Sequence, residues 1–533
     1  MGGKMKNIKN YKKRLCAILM GICLSVFSVG CGNTGSSSNA NGSTSSDKSK
    51  LTIAINGDMG TLDPGVTMDN MAWKITYPAY ERLVQFNGES TDIKPALATE
   101  WETSSDGLTW TFHLDKGHKF TDGTEVTSNA VKFSFERILA LNKGPADTFK
   151  VIKTINTPDE YTVQFVLSNA FPQFLATLAT NYGSIVNPKV MSHEQNGDKA
   201  QNYLASHTDG SGAYELTEWK KGAYIHLGLN PNYSKKPVLK DVYFKLVADA
   251  SSARLELEKG DVDIAEGIDI DQIDKLKSNE NISIVKKSSL LVEYVYLNCT
   301  KGNAALQNPK VRQAISYAVD YDSIISKVMN GYASSIASPV PKGLWGYNAS
   351  AFKYTKNTDK AKSLLKEAGV SNLQLTLLYS DRFPNWEQEA LILQSNLKDI
   401  GITLNLNKVA YATMRDMLDS GKFDLSLGVW SPDYADPFMF MNYWFDSNNQ
   451  GLAGNRAFYV NSTVDTLVRE AASITDKSQR ENLYNQAQKI VIEEAPYVYL
   501  YQKDFVIPMN KNVKGFVYNP MLEGIYNLEN MSK

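Results

Sequence analysis

The sequence predicts an α/β protein of two or three domains, and three observations carry that reading. Residues 373–406 run as an apolar strand, Leu373–Tyr379, a helical stretch ending near Gly401, and a second strand, Ile402–Leu406. A strand–helix–strand unit at this spacing places its strands parallel. Residues 80–167 mix short alternating strands with one amphipathic helix, the pattern of a small α+β layer. Finally, 43% of the 533 residues are hydrophobic, enough for several cores in a chain too long for one.

Residues 1–30 read as an export signal. Lys4, Lys6, Lys9, Lys12, Lys13 and Arg14 precede an apolar run over 17–29 that is too short to span a bilayer comfortably. The run ends at Ser28-Val29-Gly30-Cys31, which resembles a bacterial lipoprotein cleavage site, although Ser28 stands where Leu is usual. Cys31 is therefore expected to carry lipid and hold the protein on the outer face of the cell membrane; plain secretion is the alternative. Residues 31–50 are mostly Gly, Ser, Asn and Thr, a flexible tether that cannot bury apolar surface. Of the four cysteines, Cys16 and Cys23 fall in the signal. With Cys31 lipidated, Cys299 stands alone and no internal disulfide can form. A net charge of −1 argues against nucleic acid as a partner.

The folded body opens with a strand at Leu51–Ile55, leading into Asn56-Gly57-Asp58, where glycine allows another backbone to approach closely. Leu108–Leu114 alternates and turns at Asp115-Lys116-Gly117, a hairpin signal. Thr127 is placed to cap a helix over 128–141, with Val131, Phe135, Ile138 and Leu139 along one side. Tyr161–Leu167 is a further strand. In the second half, Asn308-Pro309 starts a helix, and residues 359–368 form another that Gly369 stops. The loop 380–385 between the first strand and the helix of the parallel unit holds Arg382. It lies at a strand C-terminal end, where open α/β sheets bind ligands.

The most informative stretch is Val429-Trp430-Ser431-Pro432-Asp433-Tyr434-Ala435-Asp436-Pro437. Phe423–Val429 alternates like a strand with one buried face. Asp436-Pro437 reads as a helix start, with Asp as N-cap and Pro at the first helical position. Asp433 thus lies on a tight loop amid Trp430, Tyr434, Phe438, Phe440, Tyr443, Trp444 and Phe445. A carboxylate in an aromatic hollow suits a cation such as an α-ammonium group; the plain alternative is a turn residue. No Gly-x-Ser-x-Gly, His-Glu-x-x-His, Walker A or Gly-x-Gly-x-x-Gly occurs, and the five histidines show no ligand spacing. No catalysis, cofactor or metal is expected.

An ordered set of short motifs resembles a known family. It includes Leu62-Asp63-Pro64, Tyr80-Glu81-Arg82-Leu83, Pro95-Ala96-Leu97-Ala98, Phe120-Thr121-Asp122-Gly123-Thr124, Phe135-Glu136-Arg137, Ser211-Gly212-Ala213-Tyr214, Val311-Arg312-Gln313-Ala314 and Asp433-Tyr434-Ala435-Asp436-Pro437. In this order they resemble the extracytoplasmic oligopeptide- and dipeptide-binding proteins of ABC importers. The resemblance implies a periplasmic-binding-protein-like type II fold, two lobes with a hinge, carrying an additional small α+β domain. It implies lobe I over 51–77, 206–292 and 501–533, the small domain over 78–205, and the other lobe over 293–500. Hinge crossings would fall near Tyr294–Tyr296 and Tyr499–Tyr501. The implied ligand is a short peptide, its backbone paired at Asn56-Gly57-Asp58 and at Val429-Trp430-Ser431. Its ammonium would meet Asp433 and its carboxylate Arg382, with Tyr499 and Tyr501 as further pocket residues. Partners would be the permease subunits of an importer, for a monomeric binding protein. A receptor for a metal chelate, glutathione or an oligosaccharide, and a surface peptide sensor or adhesin, are the alternatives.

Overall fold

The computed structural model describes residues 47–533, so the expected signal, Cys31 and most of the tether lie outside the described residues. The first strand forms at Lys50–Ile55, with Leu51, Ile53 and Ala54 fully buried. It runs parallel to Asp241–Leu246 on one side and to Ile264–Ala265 on the other. A strand buried on both faces reads as a near-continuous apolar run, which is what Leu51–Ile55 is.

That strand belongs to an 11-stranded mixed sheet. Its order is 403–409, 374–380, 425–430, 282–297, 497–510, 264–265, 50–55, 241–246, 224–229, 214–220, with 333–334 attached to 497–510. Two long strands, Ile282–Leu297 and Tyr497–Asn510, run antiparallel and carry both halves of the molecule. Their register slips between Ser288 and Val292 and again between Glu293 and Tyr294. Such bulges bend and twist a strand where one half passes into the other.

The parallel unit forms as expected: Gln374–Ser380 and Thr403–Val409 pair in parallel around the helix Asn385–Lys398. Leu425–Trp430 differs from the reading of one buried face. Leu425, Ser426, Leu427 and Gly428 are all buried, because 374–380 and 282–297 flank the strand. A Cβ on Gly428 would strike the rings of Tyr294 and Tyr296, so only glycine lets the two strands meet there.

Residues 98–167 build a separate antiparallel sheet, in the order 98–103, 109–114, 162–167, 152–159. The turn at Asp115-Lys116-Gly117 does not close a local hairpin. Thr109–Leu114 pairs instead with Ala98–Thr103 and with Thr162–Leu167. The reason is burial: Trp110, Phe112 and Leu114 find a matching apolar face in Val163, Phe165 and Leu167. The helix Ser128–Leu141 covers this sheet; Thr127 holds its N-cap position but makes no side-chain bond there. Arg137 of this helix reaches Asp63 through two hydrogen bonds, Nη1–Oδ1 at 2.8 Å and Nη2–Oδ2 at 2.6 Å, both side chains buried. This pair ties the loop at Leu62-Asp63-Pro64 to the small domain.

A second buried pair revises the role of Asp436. The helix after the aromatic loop spans Phe438–Phe445, and Asp436 Oδ1 accepts from Phe438 N at 2.9 Å, a cap-like bond. Its larger role is with Arg480, whose Nη1 and Nη2 donate to the two carboxylate oxygens at 2.9 and 2.8 Å. Both side chains are 4% exposed. Losing a cap costs about 1 kcal/mol, whereas breaking a buried pair from one side costs about 3–5 kcal/mol. Asp436→Ala should therefore lower unfolding free energy by the larger amount in chemical denaturation. A loss near the smaller figure would show that capping is its main contribution.

Candidate functional site

The loop 431–437 is held by its neighbours. Besides the Asp436–Arg480 pair, Trp345 Nε1 donates to Ala435 O at 3.1 Å, and the Arg480 guanidinium lies 4.9 Å from the Trp345 ring centre. Asp433 sits on this fixed loop and makes no hydrogen bond or ion pair among the described residues. Burial pushes its carboxyl up to about 6. Desolvation disfavours the charged form, and no cation of the described residues stands close enough to offset it.

Aromatic rings from both halves gather round it. Trp430 stacks on Tyr443 at 5.8 Å between centroids, and Tyr434 meets Phe171 of the small domain edge-on at 6.4 Å. Tyr182, also from the small domain, packs edge-on against Trp73 at 5.3 Å. The Tyr182 and Tyr443 hydroxyls are pushed up, by burial first and then by the charge of Asp433. Trp430 Nε1 is buried without an acceptor among the described residues.

Val429 and Trp430 pair on one side with Glu293 and Val292. On the other side the strand 374–380 pairs only as far as Leu378 with Ser426. Beyond that point Val429 and Trp430 have no ladder partner on that edge among the described residues, and Ser431 is exposed. Arg382 emerges from the neighbouring parallel strand at the same C-terminal ends. It is exposed, its guanidinium 4.4 Å from the Tyr411 ring centre, and it makes no ion pair among the described residues. Asn56, exposed, and Gly57 follow the first strand. A Cβ on Gly57 would meet only Met71 Cε at 3.8 Å, so the protein itself does not demand glycine there.

Two expected contacts are committed elsewhere. Asp58 Oδ2 accepts from Gly222 N at 2.9 Å, and its Oδ1 accepts from Met59 N at 2.9 Å and from Trp219 Nε1 at 3.3 Å. Its carboxylate clamps its own loop to the hairpin of 214–229. Tyr501 is fully buried; its hydroxyl donates to Glu389 Oε1 at 2.6 Å and accepts from Asn385 Nδ2 at 3.0 Å. Tyr501 therefore serves the interior. Tyr499 is buried too, and burial, with the nearby Tyr354, raises its hydroxyl well above the usual range.

The structure adds groups that no local pattern announced. Glu293 lies on the long strand directly opposite Val429, and Glu389 comes from the helix after Arg382. Asn385 Nδ2 bridges them, 3.1 Å from Glu293 Oε1 and 2.8 Å from Glu389 Oε1, and Trp386 Nε1 donates to Glu293 Oε2 at 2.8 Å. Burial raises both carboxyls, and the charge of Glu293 adds to the rise at Glu389. Nearly a hundred residues separate the two in sequence. Surface hollows of about 340 and 350 Å³ lie elsewhere, beside Lys301 and Asp424 and beside Lys362 and Ile402, and gather none of these residues.

Comparison with known proteins gives a consistent picture. The profile of the bacterial extracellular solute-binding proteins, family 5 Middle, matches residues 92–451. A protein named "Probable D,D-dipeptide-binding periplasmic protein DdpA" from Escherichia coli (strain K12) is 47% identical over 491 residues, covering 91% of this chain and 95% of its own. Heme-binding protein A of Haemophilus influenzae is 32% identical, over 83% and 84% of the two chains. Among solved structures, the periplasmic binding protein DppA from Helicobacter pylori, in complex with the peptide STSA, superposes with a TM-score of 0.73 at 29% identity. That match covers 90% of this chain and 98% of that one.

The raised carboxyl of Asp433 has a defined pH signature. An acid that binds its proton more tightly when folded stabilises fully below its ordinary value, 3.8. That contribution is lost as pH rises through about 6. A carboxyl NMR titration should give Asp433 a midpoint near 6, and Asp433→Asn should flatten the fall in stability over that window. A midpoint near the ordinary value would place the carboxyl in open solvent.

Proposed function

This chain belongs to the bacterial extracellular solute-binding proteins, family 5, and from that premise we propose that it captures short peptides with a free amino terminus between its two lobes and delivers them to the permease of an ABC importer. The observation that carries the reading is the carboxyl of Asp433, without a partner among the described residues, fixed on a braced loop and ringed by Trp430, Tyr443 and Tyr182. A peptide ammonium supplies the missing cation, and the aromatic faces add to its attraction. The unpaired edge at Val429, Trp430 and Ser431 can pair with peptide backbone whatever the side chains. Gly57 leaves room for the ligand backbone from the other side. Arg382 faces the same end and can take the peptide carboxylate, which fixes ligand length. The relative named for D,D-dipeptides favours a length of two residues.

In this reading the chain folds as 51–77 with 206–292 and 501–533, and 293–500, closing about the long strands, with 78–205 as the added domain. The protein acts as a monomeric receptor without chemistry of its own.

Calorimetric titration with D-alanyl-D-alanine tests the site. The wild type should bind the free dipeptide, and Asp433→Ala should weaken it by roughly thirty-fold or more, the cost of removing one member of a buried charge pair. The N-acetylated dipeptide should lose a similar factor, and Arg382→Ala should weaken the free acid more than its C-terminal amide. Equal binding of free and acetylated dipeptide would defeat the ammonium reading.

We propose also that Cys31 carries the lipid anchor, since a basic and apolar leader ends there and a Ser-rich tether follows. Cys31→Ala should abolish labelling by a palmitate analogue and release the protein from the membrane fraction; unchanged labelling would rule the anchor out.

A further inference from the structure

Two buried acids share one interior cluster, and the hydrogens available there decide how they coexist. Glu389 and Glu293 are 0% and 4% exposed. Their Oε1 atoms both accept from Asn385 Nδ2, at 2.8 and 3.1 Å, so a single amide nitrogen separates the two carboxyl groups. Glu293 accepts at both oxygens, from Asn385 and, at 2.8 Å, from Trp386 Nε1. Glu389 accepts at Oε1 only, from Asn385 and from the Tyr501 hydroxyl at 2.6 Å. Its Oε2 is buried without a partner among the described residues. Neither acid makes an ion pair among those residues, and the charged groups on the surrounding elements are engaged elsewhere. Lys503, on the same strand as Tyr501, is half-buried and joins no ion pair, while Asp504 beside it is paired with Lys286. On the helix of Glu389, Glu387 is paired with Lys408 of the neighbouring strand. Arg312, from the helix Pro309–Ala318 packed on it, gives its guanidinium to the carbonyls of Leu306, Gln307 and Glu494, and Lys327 is exposed.

Two like charges this close, out of water and without a counter-ion, cannot both be kept, so one carboxyl holds a proton. The hydrogen bonds choose which. A proton on either oxygen of Glu293 would confront a donor, Asn385 at one and Trp386 at the other. A proton on Oε2 of Glu389 displaces nothing. Burial and the charge of Glu293 push the Glu389 carboxyl in that same direction, well above its ordinary value. The place of the proton matters because of what Asn385 joins. It ends the loop that carries Arg382 and opens the helix Asn385–Lys398. Through Glu293 and Tyr501 it fastens that loop to both long strands, and Glu293 stands opposite Val429 in the ladder. The cluster therefore sets the loop of Arg382 against the strand that ends at Trp430.

We propose that Glu389 is a positioning residue for ligand capture: it carries the one proton of the Glu293–Glu389 pair, and in that neutral form it lets Asn385 hold the loop of Arg382 to the long strands beside Val429. The proposal rests on the peptide reading and deepens it, since the grip on the ligand's carboxylate end then depends on a protonated acid that the ligand never touches. Loss of that proton to solvent at higher pH puts two charges on one amide nitrogen, and the loop is released from its register.

The test compares Glu389→Gln with Glu293→Gln in the full chain. The first copies a neutral acid, with an acceptor and an N–H group in place of the two oxygens. The second turns an amide NH2 toward Asn385 or Trp386. Glu389→Gln should keep the folding constant near neutral pH, and Glu293→Gln should lower it by about tenfold or more, the worth of one hydrogen bond. Infrared difference spectra should show a protonated-carboxyl stretch in the wild type that Glu389→Gln removes. An acid that binds its proton more tightly when folded stabilises fully below its ordinary value, 4.5, and loses that contribution as pH rises; Glu389→Gln should lack this fall. Calorimetry with D-alanyl-D-alanine and its C-terminal amide reads the ligand role. As pH rises, wild-type affinity for the free acid should drop, by up to about tenfold per pH unit once Glu389 ionises, while Glu389→Gln holds it. The amide, which lacks the group that Arg382 meets, should show no such divergence between the two proteins. Comparison at each pH removes the ligand's own titration. An infrared band that survives in Glu389→Gln, equal destabilisation by Glu389→Gln and Glu293→Gln, or parallel pH profiles for the free acid would overturn the proposal while leaving peptide capture standing. Failure of the wild type to bind the dipeptide would overturn the peptide reading and the ligand role with it, and the infrared band would still decide where the proton sits.

Discussion

The site depends on the pairing of Arg480 with Asp436. Two acids lie three residues apart on one loop, and the protein gives its buried guanidinium to only one of them. Arg480 also donates to Ala471 O and lies over Trp345, so the loop, the helix 477–494 and residue 345 are fixed together. A buried pair of this kind must meet good geometry to repay its desolvation, and that requirement fixes the loop. Asp433 is then held in place with no partner of its own among the described residues. Had Arg480 reached Asp433 instead, the loop would be as firm and Asp433 would carry no open charge.

An unpartnered carboxyl is costly, and the cost shows in how tightly it holds its proton. Burial lifts Asp433 to about 6, so near neutral pH most of it is ionised, a charge with no counter-ion beside it among the described residues. Glu293 and Glu389 follow the same physics further inside. Asn385 donates to both, Trp386 to Glu293 and Tyr501 to Glu389, and burial pushes both carboxyls upward. Glu293 pairs across the ladder with Val429, so this interior cluster stands directly behind the strand that leads to the site.

The long strands explain how the two halves can cooperate. Ile282–Leu297 and Tyr497–Asn510 lie side by side through the centre of the sheet, and their register breaks near Glu293. A bulge bends and twists a strand at one level, here beside the strand that leads to the loop of Asp433. The small domain takes part in this arrangement. The buried Asp63–Arg137 pair ties it to the first lobe, and Phe171 and Tyr182 reach the loop of the second.

Much of this was legible in the sequence. The parallel unit over 374–409, the helix over 128–141 and the buried first strand follow from periodicity and turn chemistry, which act over a few residues. Asp433 stood out because its loop and its aromatic neighbours Trp430 and Tyr443 are adjacent in the chain. The sequence could not assign the turn at Asp115-Lys116-Gly117, because the partner of Thr109–Leu114 is a strand some fifty residues on. Nor could it tell the committed acids, Asp58 and Asp436, from the free one. That difference is set by where Gly222 N and Arg480 come to rest. Glu293, Glu389, Trp73 and Tyr182 carried no local signal at all. Local pattern fixes which segments fold and which face they bury; whether a polar group is already satisfied depends on residues brought together from far along the chain.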